Sequence, residues 1–129
     1  MKNIVIIGAG GVGRETALII QQINELELTW NLIGFIDDNK DSWGKVINGY
    51  SVIGGIDSLE VLPSDTYIII AIANYEIKRK IVNKINNKFN IKINFLDNKI
   101  NKKENKLNFL EGTFFNKDYL SPSYINISN

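Results

Sequence analysis

The stretch IVIIGAGGVGRE, residues 4–15, decides the fold. It begins as an apolar run rich in β-branched residues, which is typical of a strand buried on both faces of a parallel sheet. Gly8, Gly10 and Gly13 then follow at GxGxxG spacing, and an amphipathic pattern extends from residue 11 to about residue 26. A strand, a tight glycine turn and a helix in this order predict the opening of a βαβ unit.

Each glycine of this loop has a physical role in the predicted turn. Gly8 lets the chain leave the strand sharply, Gly10 lets a pyrophosphate approach the backbone, and Gly13 lets the helix pack close to the sheet. The free N–H groups and the dipole of the helix N-terminus favour an anion. The loop therefore predicts an anionic nucleotide ligand, and a glycine turn required only for packing is the alternative interpretation.

Further strands complete the predicted sheet. Residues 32–37 form a second strand, and Asn48-Gly49 predicts a type I′ hairpin turn whose second arm, residues 50–53, joins the sheet. The most apolar strand, residues 66–73, is expected to be central, and residues 91–97 are expected to close the sheet. The pattern predicts an α/β fold, a small Rossmann-like, open and mostly parallel sheet with helices on both faces.

Two helices carry apolar faces in this interpretation. The first, from Gly11 to about Leu26, presents an apolar face at helical spacing, made of Val12, Thr16, Ile19, Ile20, Ile23 and Leu26. The second is capped by Asn74, and its apolar face contains Ile77, Ile81, Val82, Ile85 and Phe89. A short helix follows Gly54-Gly55 and ends near Pro63.

The chain divides into three predicted segments. Residues 1–97 form the Rossmann-like domain, residues 98–106 a polar linker, and residues 107–129 a tail with neither a helical period nor a full strand alternation. With 129 residues, the chain suffices for one domain with a substantial core but hardly for two.

The composition excludes several kinds of chemistry. The sequence contains no cysteine and no histidine, which rules out disulfides, Cys/His zinc sites and a histidine general base within this chain. The calcium-loop pattern fails after Asp37, because Ser42 stands where a glycine is needed and Asn48 where a glutamate is needed. We therefore predict no metal site.

Charge and hydropathy predict the compartment and exclude some partners. The net charge of +1 does not favour binding to nucleic acid or to a membrane surface, and no apolar run reaches transmembrane length. The N-terminal residues are interpreted as a strand and not as a signal peptide. We expect a cytoplasmic protein.

Polar residues at the predicted strand ends are candidates for contact with a ligand. Asp37 ends the second strand, where a carboxylate bonds the ribose in dinucleotide enzymes, and Asp38 stands beside it; an Asx turn is the alternative for both. Ala73 and Asn74 follow the central strand, and for Asn74 a helix N-cap is the preferred alternative. Arg14 in the first helical turn is expected near a bound phosphate, or is a solvated surface charge.

Four segments together resemble one known family: IVIIGAGGVGRE, LIGFIDDN, NGYSVIGGIDSL and AIANYEIKRKI. They are similar to the N-terminal nucleotide-sugar-binding domain of bacterial sugar acyltransferases of the sialic-acid O-acetyltransferase and bacillosamine N-acetyltransferase type. The resemblance covers residues 3 to about 97 and keeps the family's order. The hairpin NGYSVIGG is the distinguishing element, because an ordinary dinucleotide fold has none between its second and central strands.

The resemblance implies a UDP-sugar ligand in place of NAD. It carries over the pyrophosphate side of the site to Ala9, Gly10, Gly11, Val12, Gly13 and Arg14, and the uridine side to Asp37 and Asp38. Ala73 and Asn74 complete the predicted set. One departure is visible, since Ala73 stands where the family commonly has a glycine.

The resemblance also concerns the tail. In the family a left-handed β-helix of hexapeptide repeats follows, which forms trimers, binds acetyl-CoA between subunits and carries the catalytic histidine. Residues 111–129 resemble only its first coil, and a single coil cannot bury its apolar residues alone. The resemblance therefore implies no catalytic residue and no cofactor in this chain, with acetyl-CoA and a homotrimer belonging to the intact family; the sugar and its amine or hydroxyl acceptor stay open.

Two rival functions remain at this stage. An NAD(P)-binding, oxidoreductase-type domain is favoured by the three glycines and Asp37, but the chain lacks a substrate domain and a catalytic constellation. A non-catalytic interaction module with an empty crevice is the other rival.

Overall fold

The computed structural model describes residues 1–63, 66–89 and 108–109. The strands are β1 (Lys2–Ile7), β2 (Trp30–Ile36), β3 (Val46–Ile47), β4 (Tyr50–Gly54), β5 (Tyr67–Ile70) and β6 (Asn108–Phe109). The helices are α1 (Gly11–Leu26) and α2 (Tyr75–Phe89), with short 3-10 helices at Lys40–Ser42 and Ile56–Val61.

The strands form one sheet in the order β3-β4-β2-β1-β5-β6. All neighbours pair in parallel except β3 and β4, which form an antiparallel hairpin. The predicted fold class, an open and mostly parallel Rossmann-like sheet, is confirmed. Within the described residues, the expected central position of one strand is wrong: β1 and β2 occupy the middle of the sheet, whereas β5 has β6 alone beyond it and ends at Ile70, short of the predicted Ala73.

The sheet has an apolar core on each face. Alternation along β1 directs Ile4 and Ile6 to the core that packs on α1, and Val5 and Ile7 to the core that packs on α2 and the 3-10 helix Ile56–Val61. All four side chains are buried, which explains why β1 is continuously apolar instead of alternating.

The helix faces differ from the sequence pattern at one position each. In α1 the expected core residue Leu26 is 91% exposed, because it is the last residue of the helix, where the chain turns back towards β2. In α2 Val82 and Ile85 are buried, but Ile77 is 51% exposed. Ile77 lies in the first turn of α2, beyond the end of β5. Its side chain therefore faces open space and does not pack in the core.

The predicted hairpin is confirmed. Asn48 and Gly49 both have positive φ, 52° and 85°, as a type I′ turn requires. The second arm, β4, pairs in parallel with β2 and so joins the main sheet. The turn also reaches the first helix, because the side-chain amide of Asn48 donates to the backbone carbonyl of Arg14 at 3.5 Å.

The C-terminal predictions lie almost entirely outside the described residues. This holds for the expected strand 91–97, the linker 98–106 and the tail 107–129, apart from β6, whose residues 108–109 pair in parallel with β5. The bounds of the three predicted segments stay predictions. Within the described ranges, no helix has both the length and the apolarity needed to cross a membrane.

Candidate functional site: a cleft at the carboxyl ends of the strands

A cleft with a volume of about 400 Å³ opens where β1, β2 and β5 end. This is the edge of a doubly wound sheet at which ligands bind, because the chain leaves neighbouring strands there in opposite directions. The volume lies within the range of small-molecule sites. We name three parts of its lining: the glycine wall, the aspartate wall and the apolar wall. They consist of Gly8, Gly10 and Gly11, of Asp37 and Asp38, and of Ile56, Ile72, Ile77 and Ile81.

Two glycines of the loop are required by packing. Gly8 has a φ of +111°, and a Cβ on it would lie 2.6 Å from the carbonyl oxygen of Ala71. A Cβ on Gly13 would collide with the carbonyl oxygen of Gly8. The packing interpretation of the loop therefore holds for these two positions, since any side chain there would separate α1 or β5 from the end of β1.

Packing does not account for Gly10 and Gly11. A Cβ at either position would have no neighbour within 4 Å, and both residues line the cleft. Gly10 is the N-cap of α1, and no side chain caps this helix. The first turn thus brings uncapped N–H groups and the positive end of the helix dipole to the cleft, which suits an anion.

Asp37 lines the cleft and ties down the glycine loop. Its Oδ2 accepts the backbone N–H of Ala9 at 3.1 Å, and its Oδ1 accepts that of Asn39 at 2.9 Å. The second bond is the Asx turn considered as an alternative. The first connects the end of β2 to the loop after β1, so the carboxylate also fixes the glycine wall.

Asp38 lines the cleft and links three elements. Its Oδ1 accepts the N–H of Ile56 at 2.9 Å, at the start of the 3-10 helix, and its Oδ2 accepts the Lys84 ammonium of α2 at 2.7 Å. Partial burial tends to raise the pKa of Asp38, but the hydrogen bonds from Lys84 and Ile56 and the Lys84 charge together lower it. The carboxylate is therefore ionised at neutral pH.

Ala73 and Asn74 line the cleft from the β5 side. Asn74 is also the N-cap of α2, since its Oδ1 accepts the N–H of Ile77 at 3.0 Å and its carbonyl accepts that of Lys78 at 2.9 Å. Asn74 therefore caps α2, as the alternative interpretation predicted. The N-terminus of a second helix thus lies at the cleft.

Three of the predicted ligand residues do not line the cleft. Ala9 is buried in the core under α1 and reaches the site only through its bond to Asp37. Gly13 is buried at the contact between helix and strand. Arg14 is exposed and borders a separate shallow groove together with residues of α1 and Asn48.

The sequence did not predict the apolar wall. It consists of Ile56, Ile72, Ile77 and Ile81. The periodicity of α2 predicted Ile77 and Ile81 as core residues. The rule that ligands bind at strand ends would have indicated Ile72, which follows β5, and Ile77, which lies in the first turn of α2. The cleft therefore offers an apolar surface in addition to the first turn of α1.

The charge of the cleft comes from Asp37 and Asp38. Among the described residues that line it, neither lysine nor arginine occurs. Nor do the described ranges contain a cluster of acidic side chains able to hold a metal. A ligand phosphate at this site would be neutralised by main-chain N–H groups and helix dipoles.

The family comparison covers the whole cleft. The family described as the PglD N-terminal domain matches residues 3–85, and every lining residue that the structure describes falls within this range. The chain belongs to this family. It is thus a Rossmann-like domain related to sugar acetyltransferases, as the resemblance of the four sequence segments implied.

The chain is also similar to solved structures. The chain is similar to the acetyltransferase domain of PglB from Neisseria gonorrhoeae FA1090, solved with acetyl coenzyme A, at 27% identity over 65% of this chain and 38% of that chain, with a TM-score of 0.48. It is similar to UDP-D-quinovosamine 4-dehydrogenase from Vibrio fischeri at 22% identity, over 67% of this chain and 70% of that one, with a TM-score of 0.51.

A third likeness is to a repressor. RSP, a Rex-family repressor solved with β-NADH, is 21% identical over 99% of this chain and 58% of that chain, with a TM-score of 0.53. This likeness and the one to the dehydrogenase show the fold alone. Among curated proteins, no sequence matches the chain.

Proposed function

We propose that the cleft binds a UDP-sugar and that the chain is the nucleotide-sugar-binding domain of a sugar acetyltransferase. The observation that carries this proposal is the match to the PglD N-terminal domain family over residues 3–85, because that range includes all the described residues that line the cleft. The arrangement of charge and apolar surface in the cleft supports it.

The diphosphate is assigned to the glycine wall. Gly10 and Gly11 leave room for phosphate oxygens to approach the backbone, and the uncapped first turn of α1 supplies N–H donors. Because no cationic side chain among the described residues lines the cleft, main-chain donors and helix dipoles carry this interaction.

The nucleoside is assigned to the side of Asp37, Asp38 and Ile56. The resemblance implies that the aspartate pair holds uridine, and carboxylate oxygens can accept hydrogen bonds from ribose hydroxyls or from the base. The other three isoleucines of the apolar wall can contact uncharged parts of the ligand. They are Ile72, Ile77 and Ile81. A small site with few polar groups on an apolar surface is the usual composition of a ligand cleft.

Acetyl transfer belongs to a further part of the protein. The chain spans 38% of the PglB chain it matches, and it contains no histidine. In the proposed whole enzyme this domain would hold the nucleotide sugar so that its amine or hydroxyl meets the acetyl thioester of acetyl-CoA. Trimer formation would depend on a β-helix, and a cytoplasmic location without nucleic-acid or membrane partners remains our expectation.

NAD(P) binding is the second candidate function. It is favoured by the glycine loop with Asp37 at the end of β2. Against it, the family that matches residues 3–85 is that of the PglD N-terminal domain, which is related to sugar acetyltransferases.

The two candidates are separated by thermal unfolding with a panel of ligands. A ligand that binds only the native state stabilises it by RT ln(1 + [L]/Kd) and so raises Tm. We expect UDP and UDP-N-acetylglucosamine to raise Tm by several degrees and NADH and NADPH to leave it unchanged. A rise with NADH and none with the uridine nucleotides would overturn the proposal.

A further inference from the structure

The aspartate wall is held in place by a residue outside the cleft. Lys84 does not line the cleft and its side chain is 50% exposed, yet its ammonium lies 2.7 Å from Oδ2 of Asp38. Asp38 itself is a lining residue. Lys84 can therefore influence a ligand only through this carboxylate or through the position of α2.

The environment of Asp38 leaves its carboxylate little freedom. Oδ1 accepts the N–H of Ile56, and a Cβ on Gly55 would lie only 2.6 Å from the same oxygen. With Oδ2 bonded to Lys84, both oxygens are fixed, one to the 3-10 helix and one to α2. Removal of the ammonium would free the carboxylate to rotate about its terminal bond.

The same bond also fixes the apolar wall. Ile81 lies three residues before Lys84 in α2, on the same side of the helix, and lines the cleft together with Ile56. Asp38 bonds the backbone of Ile56 and the side chain of Lys84, so a single carboxylate joins the two elements that carry these isoleucines. Lys88 also joins α2 to the 3-10 helix, through Asp57 and Glu60, so the Asp38 bond is distinguished by its place in the lining of the cleft.

We propose that Lys84 is a positioning residue for nucleotide binding, which orients the Asp38 carboxylate so that the nucleoside side of the cleft keeps its shape. This role rests on the proposed binding of a UDP-sugar. Lys84 touches no ligand in this account, and its contribution to affinity is indirect.

Lys88 provides a matched control on the same helix. Its ammonium forms ion pairs with Asp57 at 3.1 Å and Glu60 at 3.2 Å. Neither of these carboxylates lines the cleft. Lys84→Met and Lys88→Met thus remove the same charge and the same kind of contact from α2, but only the first disturbs a residue of the aspartate wall.

The test is calorimetric titration of UDP into the wild type and these variants. We expect Lys84→Met to weaken binding about fivefold, within the range for side chains coupled in one network, and Lys88→Met to leave it unchanged. Lys84→Arg should restore most of the affinity, because a guanidinium can also donate to Asp38. Gly55→Ala, which displaces the carboxylate from the other side, should weaken binding as well.

A double variant tests whether Lys84 acts through Asp38 or only through its own charge. In Asp38→Asn, the further change Lys84→Met should have little additional effect on the UDP affinity, since the two residues act as one unit. Wild-type affinity in Lys84→Met, or equal losses in Lys84→Met and Lys88→Met, would overturn the role of Lys84. Absence of UDP binding by the wild type would overturn the proposed function and this role with it.

Discussion

At the scale of single residues, the glycines of the first loop have two separate purposes. Gly8 and Gly13 allow β1, β5 and α1 to approach closely, whereas Gly10 and Gly11 face open space in the cleft. The motif spacing alone cannot make this distinction, because all of these positions carry the same residue. Only the distances to neighbouring atoms separate a glycine needed for folding from one available to a ligand.

Substitution of the loop glycines by alanine tests this division. Gly13→Ala introduces a Cβ against the carbonyl oxygen of Gly8, so we expect the free energy of unfolding to fall by about 2 kcal/mol or more. Gly11→Ala, the matched control in the same helix turn, should leave stability unchanged or raise it by up to about 1 kcal/mol. Urea denaturation measures both, and equal losses in the two variants would contradict the division.

The ionisation of Asp38 predicts a pH dependence of stability. Its pKa is lowered in the folded protein, so its contribution to stability is present above the ordinary aspartate pKa of about 3.9. That contribution is lost as the pH falls through the lowered folded value. Asp38→Asn removes it, and the variant should lose less stability between pH 7 and pH 3 than the wild type does.

Urea denaturation at the two pH values measures this difference. Asp41→Asn, a change at an exposed aspartate outside the cleft, is the control and should follow the wild type. If Asp38→Asn lost as much stability on acidification as the wild type, the assignment of Asp38 as a native-state anion held by Lys84 and Ile56 would be wrong.

At the scale of elements, local signals predicted what is local. The bounds of α1 and the Asn48-Gly49 turn follow from the glycine loop and from a dipeptide with a strong backbone preference. The order of strands is a long-range property, and the apolar run at residues 66–73 indicated burial without indicating that β1 and β2 hold the centre. The same limit applies to Ile77. Its position beyond the end of β5 is a tertiary property that the helical periodicity of the sequence does not contain.

The hairpin turn can be tested through its backbone. Gly49 has a φ of 85°, and a side chain in that left-handed region costs about 1 kcal/mol or more. We expect Gly49→Ala to lower the free energy of unfolding by about that amount. Asn48→Gly, at the neighbouring positive φ of 52°, should be tolerated, so chemical denaturation of this pair isolates the turn.

At the scale of the whole molecule, the sheet brings three lining segments of the cleft together at one edge. The glycine loop follows β1, the aspartates follow β2, and Ala73 and Asn74 follow β5. The sequence predicted most of this set, because parallel strands end at the same edge. The sequence did not predict the isoleucines of the apolar wall, nor that Ala9, Gly13 and Arg14 lie away from the cleft, since each depends on the tertiary packing around the residue.

The central claim is that this cleft binds a UDP-sugar at the N-terminus of α1. Calorimetric titration of UDP-N-acetylglucosamine into the wild type, Gly11→Leu and Gln22→Leu tests it most directly, because Gly11 faces the cleft whereas Gln22 is exposed elsewhere on the same helix. We predict saturable one-to-one binding to the wild type and Gln22→Leu, and at least about tenfold weaker binding to Gly11→Leu, equivalent to ~1.4 kcal/mol. No binding to the wild type, or undiminished affinity in Gly11→Leu, would contradict the account.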